Sequence, residues 1–408
     1  MKKTIIKKIV IIGGGAIGCA CAYIISKNKN FNITVLEKNN DFLSGKNQST
    51  RNSGVIHSGI YYDKEIMPLK AMLCPKGNAL LYEFCKNYNV PHKKTGKIVV
   101  VTNDIEKEFL DYFFDIAKEN GIEVKKLSAT ETKKIQPNVN AVSSLFVPSS
   151  GVISPIRLLE KLISEGKKQG VLFEPGSSVV KIEAGKDNKK NKFEVQCNSR
   201  TYEADFVINA AGLYADEISK IISPENAYLI EPTRGESAAF NITRKELEVK
   251  MNIYPVPAPY FADTGKSFFG NSMEFRSLLK KGEIKFTTGI HLSPTFGDDG
   301  EISNLVTIGP AKTLFLEKED YESEKKQTPY YYEGIKKYFP LIRPEEIKLY
   351  NTGIMAVPAS KQDWIIELDK KYKNCLHLVG IDSPGLTSSL AIAEYAAGML
   401  NLREKETK

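Results

Sequence analysis

The stretch IVIIGGGAIGCACAYIISK, residues 9–27, leaves the chain few ways to fold. A β-branched apolar run, then Gly13, Gly15 and Gly18 in the spacing G-x-G-x-x-G, then small and apolar residues at helical spacing, reads as strand, tight turn and helix. The first glycine permits the turn, the second lets backbone approach a pyrophosphate, and the third brings the helix close to the strand. A helix opened by Ala16, Ile17 and Gly18 points its amide hydrogens and positive dipole end at phosphates.

A second strand, NITVLEK, ends in Glu37 and Lys38. An acidic side chain about twenty residues beyond the glycines accepts hydrogen bonds from a ribose diol and disfavours a 2′-phosphate. A chain built for NAD continues through alternating strands and helices. Here LSGKNQSTRNSGVIHSGIYY intervenes before a helix read at PKGNALLYEFCKNYNV. That polar, glycine-rich segment suits a longer cofactor, FAD, with the backbone of Ser49, Thr50, Arg51, Asn52 and Ser53 passing the pyrophosphate and flavin. Two later segments complete the cofactor site. Strands in GVLFEPGSSVVKIEAG, with Val179, and in YEADFVINAAGLYADEI lead to Ala210, Ala211 and Gly212, whose small side chains allow close approach. In CLHLVGIDSPGLTSSLAIAEYAAGML, Asp382, Pro384, Gly385, Leu386 and Thr387 open a small-residue helix. Its N-terminus stabilises negative charge developing on a reduced ring.

The chain's 408 residues exceed what one core usually serves, so two domains are expected. No apolar run approaches the roughly 20 residues of a membrane span. The net charge of +8 is carried largely by scattered lysines, without the basic stripe and interleaved aromatics of a nucleic-acid surface. It leaves room for weak peripheral attraction to an anionic membrane face. Six cysteines without C-x-x-C or Cys/His spacing argue for buried reduced thiols in a cytoplasmic protein, with neither metal site nor disulfide framework. The basic, apolar N-terminus runs directly into the glycine turn and lacks a cleavage site, so it is read as the start of the fold.

Over nearly its whole length the sequence resembles the L-2-hydroxyglutarate dehydrogenase/oxidase family, within the glycine oxidase and D-amino-acid oxidase superfamily of FAD-dependent oxidoreductases. GGGAIG at 13–18 is common to many flavoproteins. RNSGVIHSGIYY at 51–62, KAMLCPKGNALLYEFC at 70–85, PNVNAV at 137–142, INAAGLYAD at 208–216, RGE at 234–236, IYPVPAP at 253–259 and GIDSPGLTSSLAIAEYA at 380–396 carry the closer likeness. Departures fall mainly outside the cofactor pieces: Thr233 and Ser237-Ala238-Ala239 around RGE, Ser154 in place of an acid, and a longer, more charged 265–289. The resemblance implies an α/β Rossmann-like FAD domain plus a substrate domain with a largely antiparallel sheet. It also implies oxidation of a 2-hydroxy acid, L-2-hydroxyglutarate first, by hydride transfer to the flavin, with oxygen or a quinone receiving the electrons.

Such a reaction needs a base for the hydroxyl proton, and imidazole titrates in the useful range. His57, framed by glycines, is the first candidate. Its roles as base, as polar partner of the flavin, or as covalent attachment point stay open. His291, which matches the family's histidine, is the rival base. The carboxylate calls for arginine, with Arg234 in the matched RGE as first choice, an ion pair with Glu236 being the alternative for it, and Arg276 in the unusual insertion as a further candidate. Lys312, Tyr61 and Tyr254 complete the candidate set. The expected cofactor domain comprises 1–92, 150–235 and 345–402, the substrate domain 93–149 and 236–344, and 403–408 is a tail. An amine or glycerol 3-phosphate substrate on the same fold, and a non-catalytic flavin-binding protein, remain as alternatives.

Overall fold

A computed structural model describes residues 6–184, 192–226, 228–297, 299–315 and 317–402; the expected tail, 403–408, lies outside the described residues. The glycine segment folds as its pattern demands. Strand Lys7–Ile12 is central in a six-stranded sheet, flanked in parallel by Phe31–Leu36 and Phe206–Asn209. Leu172–Glu174 and Cys375–Val379 extend the parallel order on either side, and Ile365–Leu368 adds an antiparallel edge. Side chains alternate between the two faces. Ile9 and Ile11 point into a core shared with helices Ala16–Ile25, Pro68–Tyr88, Pro155–Lys168 and Gly385–Met399. Val10 and Ile12 pack instead beneath a three-stranded antiparallel sheet of Val179–Ala184, Phe193–Cys197 and Thr201–Ala204, and helix Ala215–Ile222.

The second layer is an eight-stranded sheet, antiparallel except where Asn252–Pro255 runs parallel to Lys97–Val101. Helices Lys107–Glu119 and Ser272–Lys281 cover part of one face through an aromatic cluster of Phe109, Tyr112, Phe113 and Phe275. Helix Thr328–Ile335 covers the other. Long strands Ile230–Asn241 and Lys348–Pro358 pair with each other across this sheet. The joint expected at 235 falls inside the first of them and the one at 345 just before the second. Periodicity alone does not reveal where so long a strand begins and ends.

The helix read from residue 75 starts earlier, at Pro68, where proline's missing N–H costs nothing, and carries Pro75 inside. All six cysteines are buried and unpaired. Among the described residues no helix is long and apolar enough to cross a membrane.

The glycine turn is held by contact as much as by dihedral angle. Gly13 has φ +108° and approaches Ala210 so closely that an added Cβ would lie 2.3 Å from its carbonyl oxygen. A Cβ on Gly18 would lie 1.9 Å from the Gly13 carbonyl oxygen. Gly18→Ala must therefore push the first helix off its strand, at a cost of about 2 kcal/mol or more. Calorimetry should show a lower Tm for this variant, with reduced flavin content on purification.

Candidate active site

The turn, the second strand and the 43–62 segment are tied together by hydrogen bonds. Gly14 N–H donates to Glu37 Oε2 at 2.9 Å and Asn39 N–H to Oε1 at 3.0 Å. Ala16 N–H, at the helix start, donates to Ser49 Oγ at 2.8 Å. Each Glu37 oxygen keeps a lone pair for a ribose hydroxyl. The Gly176–Val179 segment runs alongside, with Ser177 N–H donating to the Glu37 carbonyl. Beside Gly15 an added Cβ would meet only Ser49 Oγ, at 3.1 Å, so the turn leaves a shallow cradle above the helix start. Further along, a cavity of about 1510 Å³ opens between the two sheets. An acid at the ribose end, a small-residue turn, and a wide cavity beyond it fit FAD.

Thr50, Arg51, Asn52, Ser53 and His57 line this cavity on one side, and Asp382 through Thr387 on another. The His57 loop needs the left-handed backbone at Gly54, φ +73°, where a Cβ would also meet the Ile153 carbonyl at 2.3 Å. His57 N–H donates to Thr387 Oγ1 at 3.0 Å, and His57 Nε2 faces Ser383 Oγ at 3.4 Å. Thr387 thus braces the loop with its hydroxyl, buried inside the first helical turn, instead of offering it to the cavity. Asp382 is held by Lys70 Nζ at 2.8 Å and Trp364 Nε1 at 3.1 Å.

From the eight-stranded sheet come His291, Tyr254, Thr307 and Lys312, with Tyr61 from the loop. The rings of Tyr254 and His291 stack, centroids 3.8 Å apart and planes within 15°. Burial pushes both imidazoles well below their ordinary range, and nearby Lys97 and Lys312 push them further. Lys312 is exposed to cavity water yet surrounded by protein, and its pKa is lowered by desolvation and by Lys70, against the opposing pull of Asp382. Tyr61 Oη is buried without a hydrogen-bond partner among the described residues.

Both expected arginine anchors are turned elsewhere. On strand Ile230–Asn241, Glu231, Gly235 and Ser237 face the cavity, whereas Arg234 and Glu236 share the other face. Arg234 Nε donates to Glu236 Oε1 at 2.9 Å, and its other nitrogens bond Ser323 Oγ and the Glu324 carbonyl. Arg276 is committed to Asp63, at 2.9 Å, and lies within ion-pair range of Glu65 and Glu119. Spacing cannot show which arginine already has a carboxylate. Two side chains in the cofactor set are likewise engaged. Arg51 donates to the Gly45 and Thr352 carbonyls and lies 4.1 Å from the Tyr321 ring. Lys38 pairs with Glu319 and lies 4.0 Å from the Tyr214 ring.

One residue beside the site escaped sequence reasoning. Lys97 opens the apolar strand KIVVV, where a lysine reads as a solvated strand end, but it is 1% exposed. Its Nζ lies 3.8 Å from the Tyr254 ring centroid and 5.4 Å from that of Tyr61. Burial lowers its pKa to about 7.

The family model for FAD-dependent oxidoreductases matches residues 8–399. The chain belongs to that family. Its members use FAD, so this protein is an FAD-dependent oxidoreductase. It is 28% identical over 402 residues to an L-2-hydroxyglutarate dehydrogenase of Indibacter alkaliphilus, covering 94% of this chain and 96% of the relative. It is also 28% identical over 404 residues to a glycerol 3-phosphate dehydrogenase of Caloramator mitchellensis, covering 98% and 75%. The fold matches the FAD-bound, dithionite-reduced L-α-glycerophosphate oxidase of Mycoplasma pneumoniae with a TM-score of 0.81 at 23% identity, over 98% of this chain and 97% of that one.

Arg234 in this oxidoreductase is expected to be a stability residue. Arg234→Met strands the buried Glu236 carboxylate and should cost about 3–5 kcal/mol in denaturant unfolding. Arg234→Met combined with Glu236→Leu should recover much of that loss, and KM should change little in either variant.

Proposed function

We propose that this oxidoreductase oxidises the 2-hydroxyl of L-2-hydroxyglutarate to give 2-oxoglutarate. The observation that carries the reading is one cavity containing two imidazoles held neutral, His57 and His291, together with Lys312, which has no ion pair among the described residues. A neutral imidazole is ready to accept the hydroxyl proton. An ammonium without a carboxylate partner is ready to take one from the substrate. Bound FAD supplies the two-electron acceptor. The chain's part is to bind the acid at Lys312, orient its hydroxyl toward an imidazole Nε2 or Nδ1, and receive the proton there. Tyr61 Oη, still without a partner, offers a donor for the second carboxylate or the hydroxyl. His291 is our choice of base, because it stands on a sheet strand stacked against Tyr254. His57 belongs to the cofactor loop, and we assign it to orienting the ring.

In this reading the six-stranded sheet and its helices form the cofactor domain, and the eight-stranded sheet forms the substrate domain. Electrons leave to oxygen or a quinone, and the positive net charge favours loose attachment at the cytoplasmic membrane face for the latter.

Glycerol 3-phosphate is the second reading, favoured by the whole-length likeness to a protein named for it. Lys312 would bind a phosphate equally well. Anaerobic absorbance spectra separate the two. L-2-Hydroxyglutarate should bleach the flavin band within the mixing time of a cuvette, and glycerol 3-phosphate should leave it. The opposite pattern rejects the first reading. Lys312→Met should then lower kcat/KM by about thirtyfold or more, as loss of a charge-assisted contact implies, with Tm unchanged.

A further inference from the structure

Lys97 has no part in the scheme above, yet it is the costliest side chain near the site to bury. A charged ammonium out of water requires compensation, and among the described residues Lys97 has neither ion pair nor hydrogen bond; only the Tyr254 and Tyr61 rings face it. Cys74, the remaining titratable group beside it, is buried and pushed up to about 12, so it stays a neutral thiol and provides no counter-charge. A methionine or leucine would pack in this apolar strand at far less cost.

The sheet places Lys97 in line with the candidate base. Lys97, Tyr254 and His291 stand on three neighbouring strands and share one face, with Asn252 opposite Lys97, Val99 opposite Tyr254, and Ile253 opposite Leu292. The imidazole of His291 occupies one face of the Tyr254 ring at 3.8 Å. The ammonium, also 3.8 Å from that centroid, must occupy the other. We infer that Lys97 is a positioning residue, which holds His291 in its proton-accepting form from the far side of Tyr254.

The electrostatics run the right way. A tyrosine face attracts cations, so a histidine stacked on one would ordinarily be encouraged to protonate. A cation already on the opposite face opposes that. The other groups facing His291 are the Gly289 carbonyl, 3.4 Å from Nδ1, which favours the protonated ring, and Lys312, which disfavours it. His57 feels Lys97, His291 and Lys312, all lowering its pKa. The carboxylate of Asp382 is taken up by Lys70. Lys97 is charged below about pH 7, which is the range in which an unperturbed imidazole would pick up a proton. Its field is therefore present where it is needed and fades where the ring is neutral anyway.

The inference rests on reading His291 as the base, and the test separates the two. The chain has only four histidines, His57, His92, His291 and His377, so imidazole NMR of isotope-labelled holoenzyme, assigned with His291→Gln, can follow each one. Lys97→Met should raise the His291 pKa by about one unit, and Lys97→Arg should keep it at the wild-type value. A residue that merely fills space would lower Tm in both variants and leave the His291 titration where it was; that result overturns the inference. Should Lys97→Met fail to fold, the wild type still decides. The His291 ring carbon shift must show an inflection near pH 7, coincident with that of the Lys97 side chain, and its absence overturns the inference equally. If His291 moves as expected but the acid limb of flavin reduction by L-2-hydroxyglutarate does not move with it, the coupling stands and His291 is not the base.

Discussion

The site depends on how tightly the backbone around His57 is held. Val55 and Ile56 pair with Val152 and Gly151. The Ile56 carbonyl accepts from Ser150 Oγ at 2.7 Å, and the His57 carbonyl accepts from Asn78 Nδ2 at 2.8 Å. The His57 amide donates to Thr387, 330 positions away. Side chains from the long second helix, the Ser149–Ser150 turn and the C-terminal helix thus converge on three residues. A buried loop survives only if its polar backbone groups are satisfied, and here three distant segments do that work. The same bonds set where the first turn of the C-terminal helix lies relative to the imidazole, so the anion-stabilising helix end and the histidine are positioned by a single network.

Charge in the cavity is arranged by subtraction. Acidic side chains near it are mostly matched: Asp382 with Lys70, Glu65 with Lys280, Glu160 with Arg157. The arginines that sequence reasoning favoured are neutralised in the same way, whereas Lys312 and Lys97 have no carboxylate within ion-pair range among the described residues. One opens to the cavity and the other is sealed behind an aromatic ring. Where the eight-stranded sheet borders the cavity, Lys312 stands with imidazoles that the same field keeps from protonating.

The cofactor half was legible because its constraints are local. A strand ending in glycines and a second strand ending in an acid are fixed by backbone geometry that few sequences satisfy, and Gly13, Gly18 and Glu37 stand where their spacing places them. The histidines were legible as chemistry, though stacking on Tyr254 was not. What escaped was everything decided by partners distant in sequence. For Arg234 the local pair with Glu236 was legible as an alternative, but not its bonds to Ser323 and Glu324, some ninety positions on. Arg276 looked available because Asp63 lies far upstream. Lys97 drew no notice because nothing in KIVVV tells which end of a strand is buried. The bond between the Thr387 hydroxyl and the amide of His57 was illegible because the two lie 330 positions apart.

The two histidines belong to different sheets, and that raises the question of how their relation is kept. His57 rides on the loop pinned to the cofactor helices, and His291 on a strand of the eight-stranded sheet. If the layers met only through side chains, a small rotation would separate the base from the ring it must serve. Instead Ile230–Asn241 and Lys348–Pro358 run as continuous paired strands whose ends border the cofactor half: Arg51 bonds the Thr352 carbonyl, and Gln48 accepts from Ala356 N–H at 3.1 Å. Strand pairs resist bending along their length far more than loops do. One strand runs through position 235 and its partner follows directly after residue 347, so backbone pairing as well as side-chain contact ties the wall that carries His291 to the wall that carries His57.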